Sequence, residues 1–237
     1  AHRCYSRNYG GTSCFLLGDS SGSDPVEHMT VSECDLFADT TASTSAFEAA
    51  MAGGTNNGNQ DICIRGSVLE ANSTAGASPV VEAKALQLVE RLFFNGNTVI
   101  GSTTGANNAL LITSSTLGTD ESKVSNNVFI YKGGTTSNRM INAADVSVFD
   151  GNVLDKGSST NATPWRVNSN NGNVATINAL GLGSNNAAVA MTIDTDFIPD
   201  PTTDVSVAEG QYVDYYGQAV TLGDTVWAGA VIAPVAN

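Results

Sequence analysis

Phe94-Asn95-Gly96-Asn97-Thr98-Val99-Ile100 is the stretch on which the reading of this chain turns, because its pattern returns three times. An asparagine-centred turn followed by apolar residues recurs as Ser125-Asn126-Asn127-Val128-Phe129-Ile130, Phe149-Asp150-Gly151-Asn152-Val153-Leu154 and Asn170-Asn171-Gly172-Asn173-Val174-Ala175. The anchoring asparagines, Asn97, Asn127, Asn152 and Asn173, are 30, 25 and 21 residues apart. A second short strand recurs out of phase with the first, as Ala109–Ile112, Arg139–Ile141, Trp165–Val167 and Val189–Ile193. Each copy follows a connector rich in Gly, Asn, Ser and Thr. A period of about 20 to 30 residues built on short strands is the signature of a solenoid. The leucine-rich motif L-x-x-L-x-L-x-x-N does not recur, which leaves a β-solenoid. Each strand then pairs in parallel with its equivalent one turn on, at about 4.8 Å. Asn and Gly accept the left-handed backbone of tight corners. Stacked asparagines also bond one another along the axis.

The composition agrees. Of 237 residues, 41% are hydrophobic and only 14% charged, against about 25% charged in an average domain. The polar fraction is mostly Gly, Asn, Ser and Thr, which favour turns and half-exposed strands over helices. The net charge is −13, with no basic cluster. That argues against nucleic acid, whose phosphates need Lys and Arg, and against anionic membranes. No apolar run approaches the roughly 18 residues of a membrane span, so no membrane insertion is expected.

Outside the repeats, Ser45 stands three residues before Glu48, a capping box. Phe47, Ala50 and Met51 follow at helical spacing and Gly53-Gly54 ends the run. This predicts a two-turn helix that plugs the open end of the solenoid, where bare strand edges invite aggregation. Asp61–Gly66 alternates and reads as a strand. Val80–Phe94 is compatible with helix or strand. The expected organisation is an irregular, disulfide-bearing arm (1–42), a β-helix with its capping helix (43–196) and a C-terminal β segment that closes the structure (197–237). The solenoid would have about five or six rungs.

Cys4, Cys14, Cys34 and Cys63 all fall in the first 63 residues. No close pair such as C-x2-C offers a zinc site, so disulfides are the better reading. The simplest pairing is Cys4 with Cys14 and Cys34 with Cys63. The chain starts at Ala1, as a mature secreted protein would after loss of its leader. Together these point to an extracellular or cell-surface location.

Thr44–Glu70 resembles the opening of right-handed parallel β-helix proteins of the pectate-lyase-like superfamily, through Phe47, Ala50, Asp61, Ile62, Ile64 and Gly66. Val213–Pro234 is similar to the closing segment of secreted bacterial members, through Asp214, Gly217, Gly229 and Ala230. Gln218-Ala219 departs from that ending, which usually has Arg after the Gly. The resemblance implies an all-β, right-handed parallel β-helix. It leaves function open, because that superfamily holds lyases, hydrolases, tailspikes, adhesins and non-catalytic surface proteins.

The search for chemistry yields these candidates. A lyase acting on an acidic polysaccharide needs cations and a base. Its best residues are Lys132, Arg139, Lys156 and Arg166, the two arginines and the two lysines each one turn apart; Lys123 is the remaining solenoid cation. A glycosidase needs paired carboxylates. Asp145, Asp150 and Asp155 are spaced by five, but Asp150 takes the turn slot held by Asn95 and Asn171, so a corner role explains it. Asp194, Asp196, Asp200 and Asp204 form an acidic run that would hold Ca²⁺ if any cofactor is bound; no other metal is expected. His2 and His28 form no triad. Trp165 and Trp227 read as packing residues rather than a sugar platform. Asn72 and Asn161 head glycosylation sequons.

These observations favour a non-catalytic structural or adhesive solenoid that self-associates head to tail into filaments. The arm (1–42) and the late apolar segment Val226–Val235 would be its interlocking pieces. The alternatives are a carbohydrate-active enzyme, most plainly a polysaccharide lyase, and a glycan-binding module. A charge of −13 repels a polyanion at long range and weighs against the lyase.

Overall fold

The computed structural model describes residues 4–8, 15–17, 27–40, 46–49, 60–73, 80–83, 91–101, 108–113, 122–133, 139–193, 199–200, 204–206, 212–214, 218–220 and 225–229. The chain winds through three parallel sheets in turn. Sheet one stacks β1 (Tyr5–Asn8), β4 (Asp35–Thr40), β7 (Val68–Ser73), β10 (Thr98–Gly101), β13 (Val128–Tyr131), β16 (Val153–Asp155) and β19 (Ala187–Ala188). Sheet two stacks β2 (Phe15–Leu17), β5 (Phe47–Ala49), β8 (Val81–Ala83), β11 (Asn108–Thr113), β14 (Arg139–Ala143) and β17 (Trp165–Val167), and ends on the antiparallel β18 (Asn170–Gly172). Sheet three stacks β3 (Glu27–Ser32), β6 (Gln60–Arg65), β9 (Leu92–Asn95), β12 (Lys123–Ser125) and β15 (Val148–Asp150). From β1 to β14, and again at β16, each strand pairs with the one three places on, which is the parallel β-solenoid that the repeats predict.

The alternation of residue types sets what points inward. In sheet one, Leu36, Leu69, Val99, Phe129 and Leu154 share one register position and are all buried. In sheet three the inward column is Val31, Ile64, Phe94, Val124 and Phe149. Phe94 and Phe129 stack across the core at 6.3 Å, and Trp165 meets Phe149 edge-on at 5.6 Å. Trp165 is thus a core residue.

From β10 to β16, sheet one is buried on its outer side as well. Ile100, Val128, Ile130 and Val153 point outward and form a second apolar cluster with Met191 and Ala228. The Gly229 N–H bonds the Asn126 carbonyl at 2.8 Å. The C-terminal segment therefore covers a side of the solenoid. Its strands, β20 (Thr192–Ile193) with β21 (Pro199–Asp200), β22 (Asp204–Ser206) with β25 (Thr225–Trp227), and β23 (Tyr212–Val213) with β24 (Ala219–Val220), pair antiparallel in twos.

Two expectations are corrected. Phe47–Ala49, assigned to a capping helix, is a strand between β2 and β8. A two-turn helix gains little on its own, whereas a strand there completes a sheet ladder on both sides; residues 50–59 lie outside the described residues. The described residues of 1–42 do not form an irregular arm, since β1, β2, β3 and β4 stand in all three sheets. The only described α-helix, α1 (Val174–Asn178), lies at the other end, where Ile177 enters the core. The Val80–Phe94 stretch contains β8 and all of β9 but its last residue, with 84–90 outside the described residues.

Candidate functional site

A single column of side chains runs along the corner between sheet three and sheet one. The Cys4 N–H points to Cys34 Sγ at 3.4 Å, and the Cys34 N–H to Ser67 Oγ at 3.2 Å. The Ser67 N–H donates to Asn97 Oδ1 at 3.1 Å, and Asn97 N–H to Asn127 Oδ1 at 2.9 Å. Asn127 N–H donates to Asn152 Oδ1 at 3.3 Å, and Asn152 N–H to Asn186 Oδ1 at 3.1 Å. Asn178 Oδ1, on α1, accepts from both the backbone and the side chain of Asn186 and ends the row. Each asparagine amide also donates inward, Asn97 to the Ile64 carbonyl, Asn127 to Phe94 and Asn152 to Val124. Buried polar groups need such partners, and here every turn supplies them to the next.

The residue before Cys34, Ser67, Asn97, Asn127 and Asn152 makes the corner. Glu33, Gly66, Gly96, Asn126 and Gly151 have φ of 53°, 53°, 61°, 57° and 64°. The sequence reading identifies three of the column asparagines. It misplaces the fourth, because Asn173 caps α1 by accepting from the Thr176 N–H at 3.1 Å. The true fourth asparagine is Asn186. Its signal was present: Asn185-Asn186-Ala187-Ala188, like Gly66-Ser67-Val68-Leu69, puts a turn residue and a small polar residue before the strand.

The proposed cations do not stack. Arg166 is level with Asn142, three positions along the strand from Arg139, which is level with Asn108. Since Ile130 is level with Asp155, Lys156 follows in line with Tyr131 and Lys132 falls one position further on. The Lys156 Nζ bonds the Asn161 carbonyl at 3.3 Å. The arginines thus lie in sheet two and the lysines beyond the end of sheet one. Lys123 points outward from sheet three, level with Phe93 and Val148.

The carboxylates serve turns. Asp150 accepts from the N–H groups of Ser184 and Asn185 and from the Asn185 amide, at 2.9 to 3.2 Å. Asp155 accepts from Gly157 and Met191 N–H at 2.8 and 3.0 Å. Asp145 sits at φ 50° in a corner. Asp150 is level with Ser125 and, through it, with Asn95, as the corner reading expects; Asn171 lies in β18, outside that column. Asp200 is exposed in β21 and Asp204 lies in β22, while Asp194 and Asp196 are outside the described residues. No group of three His, Cys, Asp or Glu placed for a metal occurs among the described residues. No helix among them is long and apolar enough to cross a membrane. His28 is exposed in β3; His2 and Cys14 lie outside the described residues. In its own sequon, Asn161 Oδ1 accepts from the Thr163 N–H at 2.8 Å, and the Asn72 amide lies 3.5 Å from Glu70 Oε1.

The expected Cys34–Cys63 bridge is not formed, and the expected Cys4–Cys14 bridge involves a residue outside the described ones. No disulfide joins Cys4, Cys34 and Cys63. Cys63 is level with Thr30 and Phe93 on the outward side of sheet three, whereas Cys34 is buried in the corner column. Register separates them, because Cys34 is level with Ser67, four positions along the chain from Cys63.

The sequence reading also missed a patch on the outer face of sheet one. The Arg7 guanidinium lies over the Tyr5 ring at 5.1 Å and the Phe37 ring at 4.9 Å. Tyr5 is 63% exposed. Beside them, burial pushes the Asp35 carboxyl above its ordinary value, Arg7 pulls it down and Glu70 pushes it up. A cation between two rings, flanked by two acids, offers apolar faces and hydrogen-bonding groups together.

The fold and its corner column define a parallel β-solenoid protein. No protein family, curated protein or solved structure matches the chain.

Proposed function

We propose that this protein is a structural or adhesive β-solenoid of the right-handed, pectate-lyase-like kind, working outside the cell or at its surface without catalysing a reaction. The observation that carries the reading is the unbroken side-chain column from Cys4 to Asn178, which ties every turn to the next and suits a stiff rod. Its working surface is the side of the rod. The patch of Tyr5, Arg7, Phe37, Asp35 and Glu70 supports contact with a polysaccharide, through ring faces and charged hydrogen-bonding groups. End-to-end stacking into a filament has less support, because α1 and β18 cover one end of sheet two.

The test is retention of the protein on surfaces coated with neutral or acidic polysaccharides, beside electron micrographs over a concentration series. Retention that falls at least tenfold in Tyr5→Ala and Arg7→Ala, with short discrete particles at every concentration, is the expected result. Equal retention of the variants sinks the adhesive patch. Long fibres with a regular axial repeat would restore head-to-tail assembly as the function.

A further inference from the structure

We infer that Cys4 and Cys34 are a redox pair that closes into a disulfide and clamps the first strand of sheet one to the second. Parallel register supplies the geometry. Tyr5 is level with Asp35, Ser6 with Leu36 and Arg7 with Phe37, so Cys4 and Cys34 are the next level pair. The Asp35 N–H bonds the Cys4 carbonyl at 2.8 Å and the Cys4 N–H reaches Cys34 Sγ at 3.4 Å. Level positions on adjacent strands are about 4.8 Å apart at Cα. That lies within the range of about 4.4 to 6.8 Å that a disulfide spans.

The column explains why a covalent bond belongs at this end. Beyond Ser67 its members are asparagines, and Asn97 and Asn127 each accept from one turn and donate both to the next turn and to a core carbonyl. A thiol has one weak donor, and that of Cys34 goes to the Ser32 carbonyl at 3.1 Å. The step between the two cysteines thus has sulfur where the later steps have amide oxygen, and it lies at the edge of the sheet, where strands fray first. A sulfur–sulfur bond there replaces what the amides provide elsewhere.

The chemistry needs a disulfide oxidant such as oxidised glutathione. Cys34 is fully buried and Cys4 is partly exposed. Cys4 therefore loses its proton to water and attacks one glutathione sulfur, releasing a first glutathione thiolate. Cys34 then loses its proton and attacks the Cys4 sulfur of the mixed disulfide, releasing the second. Two protein thiols become one disulfide, and one glutathione disulfide becomes two thiols. Burial raises the Cys34 thiol's affinity for its proton, which fits Cys34 acting second.

The test uses the full chain, reduced, then incubated with oxidised glutathione, alkylated, digested without reduction and mapped by mass spectrometry. The expected product joins the Cys4 and Cys34 peptides, about 2 Da lighter than their two thiol forms. It should form in wild type and equally in the C14S/C63S double variant. A disulfide from Cys4 or Cys34 to Cys14 or Cys63, or full alkylation of both, overturns the pairing. In C14S/C63S, oxidation should also raise the melting temperature, on the order of 10 °C for a loop of this size. Equal melting of the oxidised and reduced forms overturns the clamp.

Discussion

Asn127 is the residue on which the corner depends most. Its Oδ1 accepts from both the N–H and the side-chain amide of Asn97, and its own amide donates to Phe94 and Asn152. Asn127→Ala strands these buried groups and should cost about 3 to 5 kcal/mol in chemical denaturation. Asn173→Ala, which removes an exposed helix cap, should cost only about 1 kcal/mol. Equal costs would refute the column as the main polar support. Asn126 presents the opposite case. It is buried, has φ 57°, and both atoms of its side-chain amide lack a partner. The equivalent corners hold Gly66, Gly96 and Gly151, so Asn126→Gly should stabilise the fold by about 1 kcal/mol, and a lower urea midpoint would contradict this. At Asp35 the sign follows from burial, which raises the folded carboxyl's affinity for its proton. Stability is then fully present below the unfolded pKa of about 4 and is lost as pH rises toward the folded value. Asp35→Asn should melt above wild type at pH 7, and the gap should close as the pH approaches 3. A gap that widens in acid would show that the Arg7 attraction outweighs burial.

At the scale of elements, helix α1 does the work that the sequence pattern gave to a helix near residue 47. Its Ile177 is 1% exposed and joins the core with Val174, Leu180 and Leu182 packed nearby. Ile177→Asp should detach this cover and bare the end of sheet two. The expected outcome is concentration-dependent aggregation by light scattering, since unpaired parallel edges recruit other chains; a soluble monomer at all concentrations would show that β18 suffices alone. The strands were legible because short apolar runs bounded by Asn and Gly have few other uses. Phe47–Ala49 was not, because local helix signals are worth little against a ladder on both sides. Asn173 misled for a related reason, since the same residue type suits a solenoid corner and a helix N-cap.

For the whole molecule, the lateral cover matters as much as the ends. Gly229 has φ 109°, and a Cβ there would lie 2.9 Å from Thr98 Oγ1 and 3.1 Å from a Val128 methyl. Gly229→Val should lift the C-terminal segment off sheet one. We expect a loss of about 1 to 3 kcal/mol and new binding of an apolar dye to the exposed Ile100, Val128 and Ile130. Unchanged dye binding would mean that the segment adapts in place. The side patch escaped sequence reading because Phe37 and Glu70 are far along the chain from Tyr5 and Arg7 and meet them only through register. The corner column was half legible, since its asparagines announce themselves and its serine and cysteines do not. That column has one more consequence. Successive members are 30, 33, 30, 30, 25 and 34 residues apart in the chain, yet each advances the rod by one strand spacing. Axial pitch is thereby uncoupled from the length of chain spent per turn. Extra residues inserted in a connector leave the next turn where it was, so evolution or an engineer can lengthen the decoration without stretching the rod.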